Sequence, residues 1–512
     1  MLTEVFLAVL LASANGSAID GVYPDPATDG DRGEFVVVSL PDETNGSVSL
    51  TDGESTVSLA GMPRGEPVVV TGDAGPAKEL FDYPIHETES TLSLANSGEW
   101  VALAVDNTTV SNVSYPASSE GEIYRDGNFT PPGRTDFEPR QQENVTVQAH
   151  LLPDDPSPAY RTLRSASERV LLAGYTFTDP AVTDTLLELH ERNVTVQVLV
   201  EGGPVGGIET TQVTQLDRLR EAGIPVAVMG TEHARYRYHH AKYAVVDDRV
   251  IVSSENWKPG SLGGNGSRGW AIEVADPLVA KDLARIFKAD TGYVDTVDWN
   301  ETRPESPVEA DTANTTYPDR FESHQFQADA VTVITAPDNA KTAVQNRLRR
   351  AEDAIKIQQV SVDPDGPLLA EAVGAAERGV DVRILLSGAW YVETENRALA
   401  KRLRERARRD GLDLQVRLAE PRSRYDHLHN KGLLVDGEWS LVGSLNWNPT
   451  ALTENREVAL LLKDDQTARY FERAFRADWR GAAWRISWGT LLVTGLIVLG
   501  GFLAGSKMAA FE

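Results

Sequence analysis

The chain of 512 residues has no cysteine. That excludes disulfide cross-links and thiolate-bound metal, and it says little about compartment. Positive charge is scarce as well. Lysine and arginine number 49 against 76 aspartates and glutamates, a formal net charge of -27, and most of the basic residues are arginine. So acidic a surface suits a high-salt environment, where salt screens its self-repulsion. The same screening weakens the usual objection to an acidic protein binding a polyanion. Helical periodicity is nearly absent from residues 19–140, and charge is absent from Ile486 to Gly505.

What the chain does contain is one eight-residue pattern twice. HAKYAVVD runs from His240 to Asp247 and HNKGLLVD from His429 to Asp436, both of the form H-x-K-x-x-x-x-D. Each is followed by a small polar turn, Ser253-Ser254-Glu255-Asn256-Trp257 in the first copy and Gly443-Ser444-Leu445-Asn446-Trp447 in the second. Histidine and lysine two residues apart on a strand share a face, and the apolar tracts Tyr243 to Val246 and Gly432 to Val435 suit buried strands. Two such strands brought together place two imidazoles and two ammonium groups around one point. Lys242, Lys431, Asn256 and Asn446, with Ser254 and Ser444 beside them, are candidates to hold an anionic phosphate. One of His240 and His429 can attack phosphorus while the other protonates the leaving oxygen and then activates water. This chemistry requires no metal and no cofactor. The competing reading, two unrelated hairpins with surface histidines, does not explain the duplication.

The duplication extends further. Glu191-Arg192-Asn193-Val194-Thr195-Val196 matches Glu377-Arg378-Gly379-Val380-Asp381-Val382, and Thr178-Asp179-Pro180 matches Val362-Asp363-Pro364. Upstream, Leu151-Leu152-Pro153-Asp154 matches Thr335-Ala336-Pro337-Asp338. The offset stays near that between His240 and His429, which indicates one domain repeated. Strands alternating with amphipathic helices place each repeat in the α/β class.

The paired motif resembles that of the phospholipase D superfamily, over roughly residues 145–480. The resemblance implies two repeats, mixed sheets flanked by helices, sharing one site and a covalent phosphohistidine on His240 or His429. It makes Asp247 and Asp436 supporting members of the catalytic set. Glu457, in Glu457-Val458-Ala459, is the expected orienting carboxylate of the second copy. Glu273, in Glu273-Val274-Ala275, is its expected counterpart, although it follows a Gly-rich insertion from Gly260 to Gly266. His239 and His427 read as strand-flanking polar residues.

The remaining parts are read more coarsely. Residues 1–18 resemble a secretory signal without a basic n-region. Residues 19–140 carry short Val/Thr/Ser-rich runs and predict an all-β, immunoglobulin-like sandwich. The order Val22-Tyr23-Pro24-Asp25-Pro26, Gly33-Glu34-Phe35-Val36 and Asn96-Ser97-Gly98-Glu99-Trp100-Val101 resembles lamin-tail domains. The catalytic repeats are assigned to 145–300 and 326–480, joined by a linker at 301–325. Residues 486–505 are long enough to span a bilayer as one transmembrane helix. Arg480 and Arg485 before that stretch argue for a cytoplasmic catalytic part. The signal-like start and N-x-S/T sites such as Asn45 and Asn107 argue the other way. The balance predicts a single-pass protein of the cell membrane with its catalytic part outside.

The substrate is expected to be a phosphodiester, of nucleic acid or of phospholipid. Arg235, Tyr236, Arg237 and Tyr238 would suit a nucleic-acid backbone, or equally packing at a strand entrance. A nuclease is the leading expectation. Phospholipase D or cardiolipin-synthase-like phosphatidyl transfer is the alternative, and a non-catalytic scaffold is a third reading that the intact histidines and lysines oppose.

Overall fold

Valine-rich runs punctuated by turn residues become strands along most of the chain, as their patterning predicts. The computed structural model describes residues 16–26, 32–80, 83–90, 92–230, 234–309, 315–421 and 423–481. In the N-terminal part a six-stranded and a four-stranded sheet pack face to face. Val22, Val36 and Val68 from one sheet and Leu50 and Leu103 from the other fill the space between them. This is the expected sandwich, with one short helix, Ala74–Leu80, that the strand pattern did not announce.

From Arg140 onward the strands join one fifteen-stranded sheet. Its centre is a pair of thirteen-residue strands, Arg140–Leu152 and His324–Ala336, which run antiparallel with Arg140 opposite Val333. Outward from this pair the same strand order appears twice. The first repeat runs Gly269–Ala275, Arg249–Ser253, Tyr243–Val246, Arg169–Gly174, Thr195–Glu201 and Val226–Met229. The second runs Glu457–Lys463, Trp439–Gly443, Gly432–Val435, Ala354–Gln359, Asp381–Leu386 and Leu414–Leu418. The two mixed sheets expected from the sequence are thus fused into one, and the molecule has an internal pseudo-two-fold axis between its long strands.

Local chemistry sets these elements. The inner strands Thr195–Glu201 and Asp381–Leu386 pair in parallel on both sides and read as apolar tracts, as strands covered on both faces must. Helix Pro180–Glu191 starts where the Asp179 carboxylate accepts from the backbone N–H groups of Ala181 and Val182, with proline in the first turn. Each motif strand turns back at its aspartate. Asp247 and Asp436 sit at φ of 52° and 56°, a left-handed conformation that Asp tolerates in hairpin turns.

The expected transmembrane helix is corrected. Among the described residues no helix is long and apolar enough to cross a membrane, and residues 486–505 lie outside them. The expected single-pass placement with an external catalytic part is corrected on the same ground, since no such helix is found among the described residues. Residues 1–15 of the signal-like segment also lie outside the described residues.

Candidate active site

Both motif histidines lie where the second repeat meets the first. The backbone N–H of His240 donates to the carbonyl of Arg456 at 2.9 Å, and that of His429 to the carbonyl of Arg268 at 3.0 Å. Each histidine is therefore held by the opposite repeat. The two arginines are themselves buried and paired. Arg456 bridges Asp290 at 3.0 Å and Asp338 at 3.3 Å and lies over the Tyr236 ring. Arg268 bridges Asp478 at 3.2 Å and Asp154, and lies over Tyr425. A buried guanidinium leaves its site only at the cost of orphaning these carboxylates, so the histidine backbones are rigidly placed.

The side chains cross in the same way. Nδ1 of His240 lies 2.9 Å from a carboxylate oxygen of Glu457. Nδ1 of His429 lies 3.3 Å from Glu255, a residue of the first-repeat turn. A carboxylate accepts only, so Nδ1 of His240 carries the proton and its Nε2 keeps its lone pair; at His429 the Lys431 ammonium, a donor, lies 3.0 Å from both ring nitrogens and shares the ring with Glu255. Asn455 donates to Glu457 at 3.0 Å, and Ser267 donates to Glu255 at 2.6 Å, fixing both carboxylates.

The sequence assigned Glu273 to the first copy, and the structure places it elsewhere. Its carboxylate accepts from the Thr162 hydroxyl. Sheet register explains the difference. The backbone of Ser254 donates to Trp270 and that of Ser444 to Val458, so Gly269 occupies the place of Glu457. The first repeat has Glu255 where the second has Leu445, and Gly269 where the second has Glu457. A Cβ on Gly269 would meet Glu255 side-chain atoms at 2.3 Å. The two repeats thus bring a carboxylate to one place from different positions. Glu457 also belongs to the opposite histidine from the one expected. The turn Ser253-Ser254-Glu255 against Gly443-Ser444-Leu445 was the signal for Glu255.

The lysines converge on the same cleft. Lys242 donates to the carbonyl of His240 and stands over the Tyr175 ring. Lys431 donates to the carbonyl of His429 at 2.6 Å and, across the repeat boundary, to that of Ser254 at 3.2 Å. Burial, then the charge of Lys431, drives Lys242 well below its ordinary pKa, and burial brings Lys431 to about 8. Burial likewise lowers His240 to about 4 and His429 to about 3, against the pull of the glutamates. Burial opposes the charged form of Glu255, but His429 and Lys431 hold its carboxyl at about 2. Burial disfavours the imidazolium forms, and an arriving phosphate anion favours them.

Asn256 and Asn446 are partly exposed beside the cleft, each with a buried Oδ1 lacking a partner. Ser254 and Ser444 are fully committed to the sheet. Their hydroxyls accept from Trp270 N and Val458 N at 3.1 Å, so they hold strands together instead of facing a phosphate. Asp247 and Asp436 lie at the far end of their strands. Asp247 accepts from the backbone of Ser167, Glu168 and Arg169, and Asp436 from that of Glu352, Asp353 and Ala354. The four-residue strand Tyr243–Val246 lies between Lys242 and Asp247 and keeps them roughly 16 Å apart. These aspartates cap strand starts and do not reach the cleft. His239 is buried, its ring 3.8 Å from Asp290, and His427 pairs with Asp426. Arg235 is buried on Asp295 and Tyr236 on Arg456, which is the packing role and not a backbone grip.

The family model described as cardiolipin synthase, PLD-like domain, matches residues 160–291 and 344–479. The mitochondrial cardiolipin hydrolase of Chlamydomonas reinhardtii is 26% identical over 42% of this chain and 89% of its own length. Cardiolipin synthase B of Salmonella typhi is 23% identical over 63% of this chain and 76% of its own. Among solved structures, the phosphatidylserine synthase of Haemophilus influenzae Rd KW20 matches with a TM-score of 0.48 and 13% identity, over 64% of this chain and 84% of that one.

Proposed function

Since the chain belongs to the family of cardiolipin synthase, PLD-like domains, whose model matches more than half of it, we propose that it cleaves or exchanges the headgroup phosphodiester of phospholipids through a phosphohistidine. The crossed histidine–glutamate pairs facing two lysines carry this reading. Nε2 of His240, whose tautomer Glu457 fixes at the shorter distance, attacks phosphorus. The bond from phosphorus to the leaving alcohol oxygen breaks as His429 gives it a proton. His429 then takes a proton from water or from a lipid alcohol, whose oxygen displaces His240 from phosphorus. Lys242, Lys431 and the amides of Asn256 and Asn446 hold the equatorial oxygens as their charge grows.

The lipid reading replaces the nuclease expectation for two reasons. The relatives that align over most of their length are named for cardiolipin chemistry. Of the four residues expected to grip a nucleic-acid backbone, Arg235 and Tyr236 are buried in packing, while Arg237 is exposed and Tyr238 half-buried. For the N-terminal sandwich we propose a lamin-tail-like positioning role. Its support is the motif order, with Val22-Tyr23 closing one strand and Glu99-Trp100-Val101 opening another.

The test offers the full chain, in EDTA, phospholipid vesicles, plasmid DNA and single-stranded DNA, beside a His240→Ala, His429→Ala double variant. Headgroup release or exchange that the double variant lacks is the expected result. Cleavage of DNA alone would overturn the lipid reading, and activity abolished by EDTA would overturn the mechanism.

A further inference from the structure

The pseudo-two-fold symmetry makes departures from it informative, and one lies beside the cleft in the second repeat. After strand Asp381–Leu386 the chain makes a loop that carries Trp390, 87% exposed, and Tyr391. The two rings touch edge to face at 5.8 Å between centroids. Tyr391 lies 6.2 Å from the ring of His427, which lies 6.2 Å from that of His429. An indole is thus held in solvent at the rim of the catalytic cleft. At the matching place the first repeat has Gly203-Pro204-Val205, whose Val205 is also exposed, at 76%, and whose backbone N–H donates to Tyr175 beside His240.

Gly388, two residues before Trp390, forms one end of a groove of about 810 Å³ whose walls include Arg397, Arg404, Arg417 and Arg480. Arg397 is bridged to Glu393. Arg404 donates to the backbone carbonyl of Val416, and Arg417 to that of Trp479, over whose ring it lies. These backbone contacts aim the guanidinium groups of Arg404 and Arg417; three carboxylates, Glu393, Glu420 and Asp478, line the same groove, of which Asp478 is buried and committed to Arg268 and Arg424. At the register of Arg417 the first repeat has Ala227, so the fold does not require a cation there. On a chain of net charge -27, arginines gathered at this groove give a local place for an anionic surface to approach.

We propose that this corner is the docking surface for an anionic phospholipid bilayer, an inference that rests on the lipid reading above. Trp390 enters the headgroup layer, as an amphipathic indole favours that depth. Arg404, Arg417 and Arg480 take the headgroup phosphates in the fork geometry of guanidinium. The groove and the motif histidines share the edge of the sheet where the parallel strands end. A bilayer seated there presents its phosphodiesters to the cleft. Nucleic acid is the weaker occupant, because it needs a basic track along the cleft and the basic pair before the first motif is tied to Asp295 and Glu454.

The absence of cysteine makes the test direct, because a single introduced thiol takes a label uniquely. A polarity-sensitive fluorophore is placed at Trp390→Cys in the full chain and, as a control, at Glu168→Cys on the opposite edge of the sheet. Vesicles of phosphatidylcholine with and without phosphatidylglycerol are then added. A blue shift is expected at position 390 only, dependent on phosphatidylglycerol. Arg404→Glu with Arg417→Glu should weaken it roughly tenfold or more in apparent affinity. Equal responses at the two positions, or indifference to phosphatidylglycerol, would overturn the surface. Phospholipid turnover without a response at 390 overturns the docking surface and leaves the function standing. A response to single-stranded DNA in place of vesicles overturns both.

Discussion

A buried imidazole is useful only if something fixes its ring and its proton, and here each ring is fixed from the opposite repeat. Replacing Glu255 by leucine, the residue its repeat partner Leu445 provides, removes that support from His429. The expected loss in kcat is about a hundredfold, within the range that general acid–base groups contribute. Because the three atoms nearest a Cβ at Gly269 all belong to Glu255, the double variant Glu255→Leu, Gly269→Glu rebuilds the second repeat's arrangement and should recover most of the rate. No recovery, in steady-state assays of both variants, would show that the two carboxylate positions are not equivalent. Burial also sets the pH response. His240 attacks as the neutral ring, and with burial holding it at about 4 in the free enzyme, the acid limb of kcat/KM should fall below pH 5. A limb at 6.5 or above in the pH–rate profile would contradict the burial argument.

Elements carry roles that a motif's spelling conceals. The sequence read histidine and lysine of each motif as one strand face, whereas both precede their strands, Tyr243–Val246 and Gly432–Val435, and the aspartate five residues on is a cap for the neighbouring strand start. Asp247→Asn and Asp436→Asn should therefore each cost about 1–3 kcal/mol of stability through carboxylate–backbone bonds, with kcat of the folded enzyme reduced less than tenfold. A collapse of kcat at unchanged melting temperature would return these residues to the reaction. Arg456 is the converse case, a residue without a motif on which the site depends. Arg456→Met leaves Asp290 and Asp338 buried without their partner and should destabilise by about 3–5 kcal/mol, read as a large drop in Tm. Glu273 shows why the carboxylate assignment failed. Its local string, Glu-Val-Ala, copies that around Glu457, but hydrogen-bond register, which no string records, aligns Glu457 with Gly269.

At the scale of the molecule, the duplication in the sequence announced two repeats but not their fusion through the strands Arg140–Leu152 and His324–Ala336. Alternation tells that a strand has a buried face and is silent about which distant strand lies beside it. The crossing of histidines and carboxylates follows from that fusion, and so was equally hidden. Folding also buries histidines that water would rather charge. His239 is lowered to about 3, by burial first and then by Arg456 and Lys242. Its folded value lies below the unfolded one, so its contribution is present above about pH 6.5 and is lost as pH falls toward the folded value. His239→Gln should thus show a smaller fall in Tm between pH 7 and pH 5 than the wild type, and an unchanged slope would remove His239 from the acid response. The central claim is that one histidine from each repeat divides a covalent reaction between attack and proton transfer. A p-nitrophenyl phosphodiester needs no proton on its leaving group, so it isolates the attack. Offered to His429→Ala, it should release one equivalent of p-nitrophenol in a burst and leave an acid-labile phosphoryl adduct on the peptide containing His240, detected by mass spectrometry. A burst and adduct in His240→Ala instead, or turnover with no adduct in either variant, would contradict the account.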